Sequence, residues 1–202
     1  MKEGVIEKGM VKTGRFRVSF PKLMKAEAYG EGKPKFSVVG LFAKDDPTLK
    51  ILKTLAAQVV ADKWPDPKKR PKNLRNPFRD GDEEKPDLDG YPGHTFITFS
   101  SEKKPGVFDK DLSPIEDDDT MYAGCYAKAV VSAYAYGGPG TSWTPGVAFG
   151  LRSIMKVAEG ESFGAGRVNA EDHFSSDDAE GLDAGTGGGA TIEDAETDSM
   201  FG

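Results

Sequence analysis

Apolar and charged residues alternate one by one in "GRFRVSFPKL", with Phe16, Val18 and Phe20 on one face and Arg15 and Arg17 on the other. That period of two predicts a strand, which Pro21 is expected to end. "KFSVVGLFAK" has a near-continuous apolar run and reads as a second strand, buried on both faces. "HTFITFSS", "MYAGCYAKAVVSAYAY" and "GVAFGLRSIMKV" supply three more. In the tyrosine-rich segment, Tyr122, Tyr126, Lys128, Val130, Ser132, Tyr134 and Tyr136 share one parity, and Ala123, Cys125, Ala127, Ala129, Val131, Ala133 and Ala135 the other. An extended ribbon then has a small apolar face and an aromatic, mildly basic one. A bulge between Tyr126 and Tyr134 would put the two tyrosine pairs on opposite faces.

One segment follows a helical period. "DDPTLKILKTLAAQVVADKW" starts with Asp46 as N-cap and Pro47 at the first helical position, and Leu49, Leu52, Leu55, Ala56, Val59 and Val60 form one stripe. The proline- and glycine-rich stretch after Trp64, "PDPKKRPKNLRNPFRDGDEEKPDLDG", rules out long regular elements and predicts a long loop. Five strands, one packed helix and long loops make the chain mainly β. They fit a five-stranded barrel of the OB type, although a β-sandwich uses the same ingredients.

Composition divides the 202 residues unevenly. Residues 1 to 170 hold all 27 Lys and Arg against 23 Asp and Glu, whereas residues 171 to 202 hold 10 acids and no base. The first 79 residues carry 19 basic and 8 acidic side chains, so the net charge of −6 does not argue against a polyanionic ligand. The glycine- and acid-rich end buries too little apolar surface to offset its ordering entropy and is expected to be disordered. The expected organisation is a folded domain over 1–168 and a disordered acidic tail over 169–202. The absence of a long apolar run or signal-peptide core points to a cytoplasmic protein with no membrane partner. Cys125, His94 and His173 lie too far apart in sequence for a zinc site, and no cofactor is expected.

The tyrosine face is the first candidate for binding chemistry. Rings interleaved with cations make a platform for unpaired bases, each stacked base contributing about 1 to 3 kcal/mol; the alternative is that Tyr122, Tyr126, Tyr134 and Tyr136 only cap the core edge. In the long loop, Lys63, Lys68, Lys69, Arg70, Lys72, Arg75 and Arg79 surround Trp64 and Phe78, as suits a clamp on a phosphate chain or, equally, a solvated linker. Asp109, Asp111, Glu116, Asp117, Asp118 and Asp119 read as a solvated run rather than a metal site, and Cys125 as a packed thiol. No catalytic motif emerges.

Taken in order, "GRFRVSFPKL", "GKPKFSVVGLFAKDDP", "DGDEEKPDLDGYPGHTFITFSS", "PGVFD", "YAGCYAKAVVSAYAY" and "GVAFGLRSIMKVAEGESFGAG" resemble the single-stranded DNA-binding proteins of tailed bacteriophages. The resemblance implies an OB-fold barrel that binds single strands without strong sequence preference during phage replication, recombination and repair in the bacterial host. It also implies an acidic tail that recruits partners such as polymerase or helicase, here through Asp194, Glu196, Asp198, Met200 and Phe201, although Phe201 is followed by Gly202 where related tails often end on the aromatic residue. The residue pattern assigns stacking to Tyr122, Tyr126, Tyr134 and Tyr136, with Trp64, Phe78 and Trp143 from loops. Phosphate contacts fall to Lys128, Arg15, Arg17, Lys33, Lys35, Lys72, Arg75 and Arg79. The rival reading is a phage virion or assembly protein whose tyrosine face is a protein interface. Monomer and homodimer both remain open.

Overall fold

The computed structural model describes residues 1–28, 30, 32–138, 141 and 144–164. Its elements in chain order are β1 (Ile6–Glu7), β2 (Met10–Lys12), β3 (Phe16–Glu27), β4 (Lys35–Ala43), α1 (Pro47–Lys63), β5 (Arg79–Asp80), α2 (Gly81–Glu84), β6 (His94–Ser101), β7 (Gly106–Phe108), β8 (Tyr126–Tyr136) and β9 (Gly146–Ala158). The five long strands form a closed ring in which β3 pairs β4, β4 pairs β6, β6 pairs β9, β9 pairs β8 and β8 returns to β3. Only the β6–β9 step within the ring is parallel. The short strands attach outside it, β1 and β2 beside β8, β5 on β6 and β7 on β9. The mainly β expectation holds, with all five long strands found where the apolar pattern put them.

Inside the ring the core is aromatic. Phe16 lies 5.2 Å from Phe42 and 5.8 Å from Phe99, and Phe99 stands edge-on to Phe149 at 6.1 Å, centroid to centroid. Such tilted contacts suit the ring quadrupole and add to the burial of large apolar surface. Gly40 leaves the space they need, because a Cβ there would come within 2.9 to 3.1 Å of Phe99, Phe16 and Phe42. Helix α1 joins this core through Leu49, Leu52 and Leu55. Its start is capped by Asp46, whose carboxylate accepts the Thr48 amide at 2.7 Å, and Pro47 opens its first turn.

Two expectations change. Pro21 does not end β3, because the strand continues through a bulge where Ser19 pairs with Val39 and Lys22 with Ser37, so three steps on β3 match two on β4. The missing amide of Pro21 falls in this irregular step, where a proline is tolerated. The bulge also breaks the alternation, and Phe20 is exposed instead of joining Phe16 and Val18. In the second change, the tyrosine ribbon is shorter than expected: β8 begins at Tyr126, and Tyr122 precedes it across Gly124, whose φ is +108°. Cys125 is fully buried, as its small apolar neighbours suggest, and burial pushes its thiol up to about 11.

Gly40→Ala is therefore expected to destabilise the fold by about 1 to 3 kcal/mol through overpacking, read from the denaturant midpoint. Native Cys125 is expected to resist alkylation at pH 8 and to react once the chain is unfolded. Because its folded value is raised, the thiol's contribution to stability is present below about pH 9, the ordinary value, and falls as pH climbs through 9 toward 11.

Candidate nucleic-acid interface

The parity of β8 survives its two irregularities. Between Tyr126 and Ala127, and again between Val130 and Val131, β8 advances one residue while β9 advances two, so the extra residues are Val157 and Arg152 of β9. Ala127, Ala129 and Val131 are buried in the core, and Tyr126, Lys128, Val130, Ser132, Tyr134 and Tyr136 keep one parity on the outer side. Outer-face residues of all five ring strands come into register. Lys22 pairs with Ser37, Ser37 with Ser100, Ser100 with Gly150 and Gly150 with Ser132, each step about 4.8 Å from the next. The result is a band of small side chains across β4, β6 and β9.

Tyr134 borders this band. Its phenol interacts with Ser100 from across β9, and Cε1 lies 3.9 Å from where a Cβ on Gly150 would stand. The ring thus lies over a glycine, and the residue is 42% exposed. Partial burial and the nearby Glu102 carboxylate raise its phenol above the ordinary value, so it is neutral. Tyr136 stands beside it at 6.4 Å between centroids, with its hydroxyl 2.7 Å from the place of a Cβ on Gly146. The basic loop reaches the same end. Arg75 donates its amide to Pro145 at 2.9 Å and places its own Cβ against Gly146, while the Lys63 ammonium donates to the Ala135 carbonyl at 3.1 Å. Arg152, the bulge residue, is exposed and donates to the Ser132 hydroxyl at 3.1 Å.

The other tyrosine pair is occupied. The Tyr122 hydroxyl lies 2.8 Å from both the Glu159 carboxylate and the Gly160 carbonyl and accepts the Gly160 amide at 3.1 Å. Lys156 sits 4.9 Å from its ring and pairs with Glu159 at 2.7 Å. Burial raises the Tyr122 phenol, and the Lys156 and Tyr122 hydrogen bonds hold Glu159 low. The guanidinium of Arg15 lies 4.6 Å from the Tyr126 ring centroid, and that of Arg17 lies 5.6 Å from Tyr126 and 4.2 Å from Phe163. Arg17 also donates to the carbonyls of Gly124 at 3.2 Å and Glu161 at 2.6 Å. Its side chain fastens residues 159–164 to the ring, which leaves little of it for a phosphate. Lys128 is paired with Glu3.

The remaining expected residues divide in the same way. Trp64 does not present its indole from an open loop: it caps α1, is only 9% exposed and has its carbonyl bonded by Arg70 at 2.9 Å. Phe78 packs edge-on against Phe149 at 5.7 Å. Arg79 pairs with Glu84 and lies 4.6 Å from the Phe96 ring. Lys72 is exposed in the loop, and Lys33 and Lys35 stand at the β3–β4 turn, away from both tyrosine pairs in the strand register. Trp143 and the tail positions Asp194, Glu196, Asp198, Met200 and Phe201 lie outside the described residues.

Sequence reasoning missed Arg152, Ser37, Ser100, Gly146 and Gly150. The signal was present in "GVAFG", whose Gly146, Ala148 and Gly150 at every second position give β9 a bare face. The acidic run has structural work: Asp109 accepts the amides of Asp111 and Ser113 at 2.8 Å, and Asp117 that of Thr120 at 2.6 Å. No three of His, Cys, Asp and Glu converge on a metal position among the described residues.

Ring and band together give a mainly β fold with an open sheet face bordered by aromatic and cationic side chains. Residues 9–183 match the family described as Enterobacter phage Enc34, ssDNA-binding protein, and the chain belongs to that family. A protein designated p50 from Acyrthosiphon pisum secondary endosymbiont phage 1 is 30% identical over 174 residues, which cover 81% of this chain and 91% of the relative. The fold is similar to the single-stranded DNA-binding protein from bacteriophage Enc34 in complex with ssDNA, with TM-score 0.68 and 22% identity over 78% of this chain and 91% of that one. It is also similar to gp2.5, a single-stranded DNA binding protein encoded by bacteriophage T7, with TM-score 0.56 and 17% identity over 83% and 95%.

Arg17→Ala is expected to cost about 1 to 3 kcal/mol of stability, since the half-buried Gly124 carbonyl and the exposed Glu161 carbonyl lose a charged donor and the Phe163 ring loses its cation. Lys33→Ala should stay within about 0.5 kcal/mol. Denaturant melts of the two variants check both values.

Proposed function

We propose that the protein binds single-stranded DNA without strong sequence preference, along the band of small side chains that crosses β4, β6 and β9. The observation that carries this is the placement of Tyr134 over Gly150, with an open ring beside Tyr136, Arg152 and Arg75. An unpaired base offers a π-face to such a ring whatever its identity, which accounts for sequence tolerance. Exposed guanidinium groups beside the rings suit the phosphates between successive bases. The membership in a family of ssDNA-binding proteins supports the same ligand. In this reading the protein coats exposed strands during phage replication, recombination and repair in the cytoplasm of the infected cell.

The acidic tail has two roles in this reading. Its 10 acids and absence of Lys or Arg let it compete in cis for the cationic surface. Its end, with Asp194, Glu196, Asp198, Met200 and Phe201, docks replication partners such as a polymerase or helicase.

Fluorescence-quenching titrations with oligo-dT at two salt concentrations test the reading. The full chain is expected to bind single strands in preference to duplex, with affinity falling as salt rises. Tyr134→Ala should weaken binding by about 1 to 3 kcal/mol with little change in melting temperature. Preference for duplex, or an unchanged affinity in this variant, would overturn the assignment. Deleting residues 171–202 should tighten binding, most at low salt.

A further inference from the structure

We propose that Phe20 is a second stacking platform, which takes an unpaired base at the border of the band formed by β3. The inference rests on the single-stranded DNA reading and adds a residue to it.

Three observations meet at this position. Phe20 has φ of +43°, a left-handed conformation that is a true outlier for a bulky side chain. It is 55% exposed, while Phe16, Phe42, Phe99 and Phe149 are each at most 1% exposed. Simple alternation would have buried it beside Phe16 and Val18, so the bulge gives up an apolar contact and accepts backbone strain to put an aromatic ring in water. Bulges that redirect a side chain in this way are features of sites rather than defects.

The neighbours of Phe20 identify the ligand. Ser19 is buried and bonds the Tyr91 hydroxyl at 3.2 Å, which fixes one side of the bulge, and Pro21 fixes the other. Two residues on, Lys22 begins the register row that continues through Ser37, Ser100 and Gly150 to Ser132, two residues from Tyr134. Phe20 and Tyr134 therefore border the same band of small side chains, one on β3 and one on β8. The hairpin that carries Phe20 also supplies Lys22, Lys25, Lys33 and Lys35. Lys22 pairs with Glu27, and an exposed ring near the other three lysines suits a base joined to phosphates better than an apolar partner surface.

Phe20→Gly and Phe20→Trp in the full chain test the proposal, with thermal melting and oligo-dT titration read side by side. Glycine adopts a positive φ without strain, so Phe20→Gly is expected to melt at or above the temperature of the unmodified chain. Its affinity for oligo-dT is expected to fall roughly tenfold, and Phe20→Trp to bind within about twofold of the unmodified chain. A Phe20→Gly chain that binds oligo-dT as tightly as the unmodified one overturns this role, as does one that loses stability, which marks a packing residue. Those failures leave the broader reading standing. Failure of the unmodified chain to bind oligo-dT overturns both.

Discussion

The closed ring depends on phenylalanine rings that meet where Gly40 leaves room for them. Phe16, Phe42, Phe99 and Phe149 come from β3, β4, β6 and β9, so their contacts tie four of the five ring strands together from inside. The fifth, β8, contributes only Ala127, Ala129 and Val131 to the interior, and that thin inner face lets α1 pack close against it. Interiors at organic-crystal density tolerate little change in volume, so large rings on four strands require small residues on the fifth. The tyrosines of β8 are on the outside because the alanines must be on the inside.

A second economy of volume shapes the outer face. Gly146, Ala148 and Gly150 leave β9 low between β6 and β8, and the phenols of β8 fold across it. A bulkier residue at Gly150 would crowd Ser132 and Tyr134, and one at Gly146 would meet Tyr136 and Arg75. The same glycines that weaken a strand on its own thus give the aromatic border its position. At the opposite end of β8 the order of events is reversed. There the segment 159–164 folds back, Arg17 is gripped between Tyr126 and Phe163, and Gly90 is pressed against the Phe163 ring. One end of the strand is closed by the protein's own chain, and the other stays open.

Much of this was legible in the sequence. The alternation in β3, the apolar run of β4 and the capped stripe of α1 each follow from local periodicity and need no knowledge of partners. So does the separation of a basic body from an acidic tail, which is a property of composition alone. Parity also placed Tyr126, Tyr134 and Tyr136 correctly relative to Ala127, Ala129 and Val131, because a bulge on β9 moves the residues of β9 and not those of β8, whereas Tyr122 precedes the strand across Gly124.

What tertiary structure decided is which of those residues remain available. Tyr122 and Tyr126 carry the same signature in the sequence as Tyr134 and Tyr136, yet the first pair is covered by residues more than thirty positions away or on another strand. Trp64 and Phe78 look like loop aromatics until the ring supplies surfaces on which they pack. Phe20 shows the converse. Periodicity assigned it to the core, and a bulge set by the pairing of β3 with β4 put it in solvent. Local pattern determines which face a side chain is offered to, because that depends on backbone geometry within a few residues. Whether the face is covered depends on strand register and on distant segments, and those exist only once the ring has closed.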